Sequence, residues 1–195
     1  TPPGTWSVKS PSISKDLALD ILLTIDYKPI PTICEILSQS HEWRLHHQED
    51  TNSKRQPIET EATTENCKMS DIIEKMVRNE FTIEAIFDQG RKRCIGSLQL
   101  NHITAKAASN PTALEDKTAT VGDFKDWWSP KLPNIAPQTN EIAASNLLRN
   151  TDAVLFDWPP LDGYKPNVDT SNLAEGIHIV TSHDILASKV HASKE

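Results

Sequence analysis

Two stretches of this chain repeat the same order of elements, and that repeat constrains the fold more than any other feature. In the first, Met69, Ile72, Ile73, Met76 and Val77 fall at i, i+3, i+4, i+7 and i+8, so Met69 to Asn79 reads as an amphipathic helix. Phe81 to Phe87 (FTIEAIF) reads as a strand, Asp88 to Lys92 as a turn, and Cys94 to Leu100 (CIGSLQL) as the strand paired to it by that hairpin. Asn101 to Ala108 resumes as a helix. In the second, Thr139 caps a helix carrying Ile142, Ala143, Leu147 and Leu148, and Ala153 to Phe156 is a strand. A loop holding Pro159, Pro160, Gly163 and Pro166 leads to a strand at Gly176 to Val180 and a helix over 182–191. A short proline-bounded strand precedes each half, around Thr32 or Ile58 in the first and Ile135 in the second. The repeated β-α-β-β-α order predicts an α/β fold of two pseudo-twofold-related modules whose sheets pack across a central cleft. The modules are expected over residues 1–110 and 111–195.

The chemistry concentrates in EGIHIVTSHDIL, Glu175 to Leu186. An apolar, β-branched strand ends at Thr181-Ser182-His183-Asp184, and helical spacing restarts at Ile185. The corner sets a hydroxyl and a carboxylate three residues apart over a helix N-terminus, where free backbone N–H groups collect. Such a carboxylate can accept from the two hydroxyls of a ribose. Equally, Thr-x-x-Asp is a variant capping box that stabilises the helix start.

Composition narrows the function classes. The net charge of −7 supplies no basic face for a sequence-independent nucleic-acid binder. No apolar run approaches the length of a membrane span. Cys34, Cys67 and Cys94 are too few and too scattered for a disulfide framework, so reduced thiols in the cytoplasm are expected. No Ser-His-Asp, P-loop, HExxH or Rossmann signature occurs, which disfavours a stand-alone enzyme. The opening TPPGTW lacks Met, and the chain is read as a fragment of something longer; Thr1 to Ser12 looks like an extended lead-in. Leu17 to Leu23 suggests a short buried helix or strand, and Thr32-Ile33-Cys34 a short strand.

From Ser38 to Lys68 the sequence is polar and lacks a periodic apolar face, and it reads as a surface insertion of the first module. His41, His46 and His47 lie there beside Glu42, Glu49 and Asp50. These are metal-ligand types, but no ligand spacing on a rigid element is visible, so a solvated loop is expected and no metal site. Trp127 and Trp128 are expected to pack between modules or at a dimer contact.

The two halves together resemble a tandem pair of cystathionine-β-synthase-type (CBS) domains, the Bateman module. AIFDQGRKRCIGSLQLNHI carries the resemblance in the first half and AVLFDW with GIHIVTSHDIL in the second. The resemblance implies a regulatory, non-catalytic module, a homodimer, and an adenosyl ligand held by Thr181, Asp184 and His183. The base would lie against Phe81, Thr82 and Ile83 of the first half and Asp152 and Ala153 of the second. In the first half Gln99 and His102 fall where Thr181 and Asp184 stand, so one functional site is expected. His178 takes the place of the family's strand glycine, which is Gly96 in the first half.

Within the family, the Ile-His-Ile-Val-Thr-x-x-Asp ending and the KPIPTIC stretch are similar to the regulatory region of eukaryotic cystathionine β-synthases. That similarity implies S-adenosylmethionine as ligand and control of an attached pyridoxal-phosphate-dependent catalytic domain. His178, His183, Asp152 and Asp157 surround the second corner in sequence and no Arg is near, which suits a cationic sulfonium better than a triphosphate. The alternatives are a generic CBS pair binding AMP or ATP, and a ligand-free interaction or dimerisation domain on a transporter, channel or other enzyme.

Overall fold

The hairpin of the first half forms where the two strand-like runs and the turn between them place it. In the computed structural model, which describes residues 29–46 and 54–192, β2 (Ile83–Phe87) and β3 (Cys94–Gln99) pair antiparallel. The short β1 (Thr63–Thr64) adds to β2 in parallel, Thr63 facing Ile86. The Asp88 carboxylate accepts from the Lys92 and Arg93 N–H groups and closes the turn, which holds its carboxyl below the usual range. The helix before the hairpin, Met69–Arg78, and the one after it, Leu100–Ser109, lie within a residue or two of their expected limits. The second half repeats the pattern with a helix at Glu141–Leu147, β4 (Ala153–Trp158), β5 (Gly176–Thr181) and a helix at Ser182–Ala192. β4 and β5 pair antiparallel, and Asn134 bridges Leu155 in parallel as β1 bridges β2. The helix cap is Asn140 rather than Thr139: its side chain accepts from the Ala143 N–H at 2.9 Å.

With these in place the helices are α1 (Ile33–His46), α2 (Met69–Arg78), α3 (Leu100–Ser109), α4 (Glu141–Leu147) and α5 (Ser182–Ala192). The first of them is a correction, because Thr32-Ile33-Cys34 starts a helix and not a strand. Thr32 N–H donates to Glu35 Oε2 at 3.1 Å, and Ile33, Cys34, Ile36 and Leu37 are fully buried against Val154, Phe156, Val180 and Ile185. Burial of the whole first turn and more, Ile33 to Ser38, outweighs the β-preference of Thr and Ile. The helix continues to His46, and Ser38 is buried, its hydroxyl donating to Cys34 O.

Ser38 to Lys68 is therefore not one surface insertion. Its first part is the end of α1. Its last part supplies a 3-10 turn at Ile58–Glu61, the buried Ala62, and β1. Its polar composition hid a segment whose apolar contacts are long-range. His47, Glu49 and Asp50 lie outside the described residues, as do Trp6 and Leu17 to Leu23; among the described residues no group of His, Cys, Asp or Glu is arranged to hold a metal.

A second repeat links the halves. Met69 N–H donates to Ala119 O and Val121 N–H to Cys67 O; correspondingly, Glu141 N–H donates to Pro31 O and Ile33 N–H to Thr139 O. Thr120 and Asp123 form a capping box on the 3-10 helix Val121–Trp127, matching Thr32 and Glu35 on α1. Each half thus holds a lead segment at its own helix start. The segment Val121–Trp127 packs with Met69, Met76, Ile86, Leu98 and Ile103, whereas α1 packs on the second half. A third buried cluster joins Ile83, Ala85 and Phe87 to Ala153, Leu155 and Ile177.

Trp127 and Trp128, from the second stretch of the chain, pack on the first half, as the expectation of packing between modules had it. Trp127 is buried edge-on to Phe124, and Trp128 donates from Nε1 to Val121 O at 3.0 Å. The Trp128 ring lies on Gly96, where an added Cβ would come within 2.8 Å of Cε3. Gly96→Ala is expected to cost about 1–3 kcal/mol in urea unfolding, since the ring must shift within a packed core. An unchanged midpoint would contradict this packing.

The Thr120 box gives a pH-dependent expectation. Asp123 accepts from the Thr120 N–H and hydroxyl, and these bonds hold its carboxyl below the usual range. A depressed carboxylate contributes stability above its unfolded value and loses it as pH falls. Asp123→Ala should lower the urea midpoint at neutral pH, and the gap should close on acidification below the ordinary carboxylate range. A gap independent of pH would contradict the cap.

Candidate functional site

The two halves leave a cleft of about 980 Å³ on the β5 side. From the first half come the 3-10 turn with Ala62, and Phe81 to Ala85, where the chain leaves α2 and enters β2. From the second come Asp152, His178, Ile179 and the corner Thr181 to Asp184. Arg55, Gln56 and Pro57 form a further wall.

The corner is a strand end running directly into α5. Thr181 donates to Asp184 Oδ2 from its N–H at 2.9 Å and from its hydroxyl at 3.1 Å, so the capping reading holds. The same carboxylate also faces the cleft. Asp184 is 3 % exposed, and its Oδ1 lies 3.8 Å from Arg55 Nη1. The expected absence of a nearby Arg does not hold: Arg149 precedes Asp152 by three residues in the sequence, and folding brings Arg55 to Asp184 across 129 positions.

Deeper on the first-half wall, Glu84 is buried. Its Oε1 accepts from Lys75 Nζ and from the Thr63 hydroxyl, each at 2.8 Å. Each cation lining the cleft at these points thus has a carboxylate beside it. Glu61, Glu80 and Asp152 are exposed on the lining, and none of them is in an ion pair among the described residues.

Thr181, Asp184, His183, Phe81, Thr82, Ile83 and Asp152 all line this cleft. Ala153 does not: it is fully buried, paired with Thr181 in the β4–β5 ladder and packed into the joining cluster. His178 is 1 % exposed, stacked on Phe156 at 5.5 Å with Nε2 2.8 Å from Ala174 O, so it is chiefly a core residue at the cleft floor. Arg55, Pro57, Ile58 and Lys75 escaped sequence reasoning. Ile58 had a signal, as one of two positions for the lead strand; Arg55 had none.

The pseudo-equivalent corner differs. Gln99 and His102 replace Thr181 and Asp184. The β3 edge there is occupied: Ser97 and Ser129 exchange N–H to O bonds at 3.1 and 2.8 Å, and the Ser97 hydroxyl donates to Pro130 O. At the matching β5 carbonyl, Ile179 O, the donor is instead Arg55 Nη2 at 3.3 Å.

No protein-family model matches the sequence, and no curated protein matches it. Solved structures do resemble the fold. The CBS-pair protein CBSX2 from Arabidopsis thaliana is 14% identical with a TM-score of 0.50, over 86% of this chain and 99% of that one. A CBS-domain-containing protein from Agrobacterium tumefaciens is 8% identical with a TM-score of 0.51, over 85% and 99%. One from Burkholderia ambifaria with CBS domains is 13% identical with a TM-score of 0.51, over 84% and 96%. The fold is that of a CBS-domain pair, an α/β Bateman module.

Proposed function

We propose that this chain is a non-catalytic regulatory module that binds one adenosyl ligand in the cleft between residues 81–85 and the Thr181–Asp184 corner. The carrying observation is Asp184 itself, a buried carboxylate on the cleft lining whose Oδ2 closes the helix cap and whose Oδ1 lies 3.8 Å from Arg55 Nη1. A carboxylate so placed suits a ribose diol, and the apolar edge at Phe81 and Ile83 suits a purine face. Residues 1–110 and 111–195 are taken as the two modules, with lead segments exchanged as described.

S-adenosylmethionine is the ligand this reading favours. The inner cations Arg55 and Lys75 face Asp184 and Glu84, while Glu61, Glu80 and Asp152 leave the lining with a surplus of carboxylates. A cationic sulfonium gains from that surplus and a polyphosphate loses. AMP or ATP is the second reading, favoured by the presence of Arg55 and Lys75 on the same walls. Control of an attached cystathionine β-synthase-type catalytic domain rests on the Ile-His-Ile-Val-Thr-x-x-Asp ending; KPIPTIC leads into a helix and adds no support. A second copy of the chain is the expected partner. Leu186 and Val190 on α5 and Ile142 on α4 are exposed apolar residues that offer it a surface.

Calorimetry against S-adenosylmethionine, AMP and ATP tests the reading. Tighter binding of the sulfonium is expected, with a melting temperature that rises with its concentration. Tighter binding of ATP would replace the first ligand with the second.

A further inference from the structure

Arg55 stands where the first half uses backbone. In the first half the Ser129 N–H takes the Ser97 carbonyl, and in the second the Arg55 guanidinium takes the matching Ile179 carbonyl with Nη2 and reaches Asp184 with Nη1. Its backbone is fixed on both sides: Arg55 N–H donates to Asn172 O at 2.8 Å, and Ala174 N–H donates to Arg55 O at 3.2 Å. The guanidinium is therefore aimed at Asp184 by a held main chain and not by a free tail.

Asp184 divides its oxygens. Oδ2 accepts both Thr181 donors, and Oδ1 is the one that Arg55 faces. A ribose diol approaching from the cleft needs the oxygen that the cap leaves. Resting on the adenosyl-ligand reading above, we propose that Arg55 is an internal counter-ion seated at the ribose position. It is an affinity-setting residue that a bound ligand displaces from Asp184, rather than a phosphate anchor.

Displacement lowers the apparent affinity by the fraction of time the carboxylate is free of its partner. A latch closed about nine-tenths of the time weakens binding about tenfold. Removing the guanidinium removes that competition. It also leaves Oδ1 beside fewer donors in the ligand-free chain, so the ligand's hydroxyls gain more when they arrive.

The test compares the parent chain with Arg55→Met, which keeps an unbranched apolar stem, and with Arg55→Lys, which keeps the charge. Adenosine is one probe, because it carries ribose without phosphate or sulfonium; S-adenosylmethionine and AMP are the others. Arg55→Met should bind adenosine and S-adenosylmethionine about tenfold more tightly, as a latch closed nine-tenths of the time requires. Arg55→Lys should stay near the parent, and Asp184→Asn added to Arg55→Met should abolish the gain. Unchanged or weaker adenosine binding by Arg55→Met, with the parent binding normally, overturns this inference and leaves the ligand reading intact. Selective loss of AMP without gain for adenosine also overturns it and makes Arg55 a phosphate anchor. Binding of no probe by either chain overturns the ligand reading and this inference with it.

Discussion

Phe156→Ala is expected to lower the unfolding free energy by about 3–5 kcal/mol, the largest single effect on stability anticipated here. Phe156 is fully buried in the cluster where α1, β4, β5 and α5 meet, and it stacks on His178. Truncation loses the transfer energy of the ring and leaves a cavity that a strand residue, fixed between Asn134-bridged Leu155 and Asp157, cannot collapse. It also strips the covering ring from a buried histidine. Natural domains have a total stability of about 5–15 kcal/mol, so a large share would be lost. Phe81→Ala, at a half-exposed ring on the cleft, should cost much less. Urea unfolding of both variants checks this, and equal losses would mean that the cluster on α1 is not the packed core described.

Asp184→Asn should weaken adenosyl-ligand binding by about 1.5–3 kcal/mol, because the lost bonds to ribose are charge-assisted. That is about tenfold to more than a hundredfold in dissociation constant. The cap would suffer too, by about 1 kcal/mol, since Thr181 donates twice to the same side chain. Under the proposed function, capping and binding are therefore not rivals at this corner, since one carboxylate serves both through different oxygens. Thr181→Val should act in the same direction more mildly. His102→Ala, at the pseudo-equivalent corner, should leave affinity unchanged. An Asp184→Asn chain that loses stability but keeps full affinity would reduce the corner to a helix cap.

The hairpins, the helices of the repeat and the Thr181–Asp184 corner were legible because their signals are local. Strand-like runs on either side of the Asp88–Lys92 turn marked β2 and β3, and helical spacing at Met69, Ile72 and Met76 marked α2. What escaped depends on contacts between distant positions. Thr32-Ile33-Cys34 has strand-like residues, yet it starts α1 because the second half offers an apolar surface for Ile33, Ile36 and Leu37. Arg55 sits in a polar run with no periodicity, and its role arises from Asn172, Ile179 and Asp184. The resemblance to CBS domains places Ala153 beside a ligand, but the pleat turns it into the core. The closure of the first corner was also hidden, since it needs Trp128 to land on Gly96 and Ser129 on Ser97.

The most direct measurement is a calorimetric titration of the whole chain with S-adenosylmethionine, read for stoichiometry. One ligand per chain, abolished or strongly weakened by Asp184→Asn and untouched by His102→Ala, is the predicted result. Two ligands per chain, or no heat from any adenosyl compound at millimolar concentration, would contradict a single ligand site at the Asp184 corner.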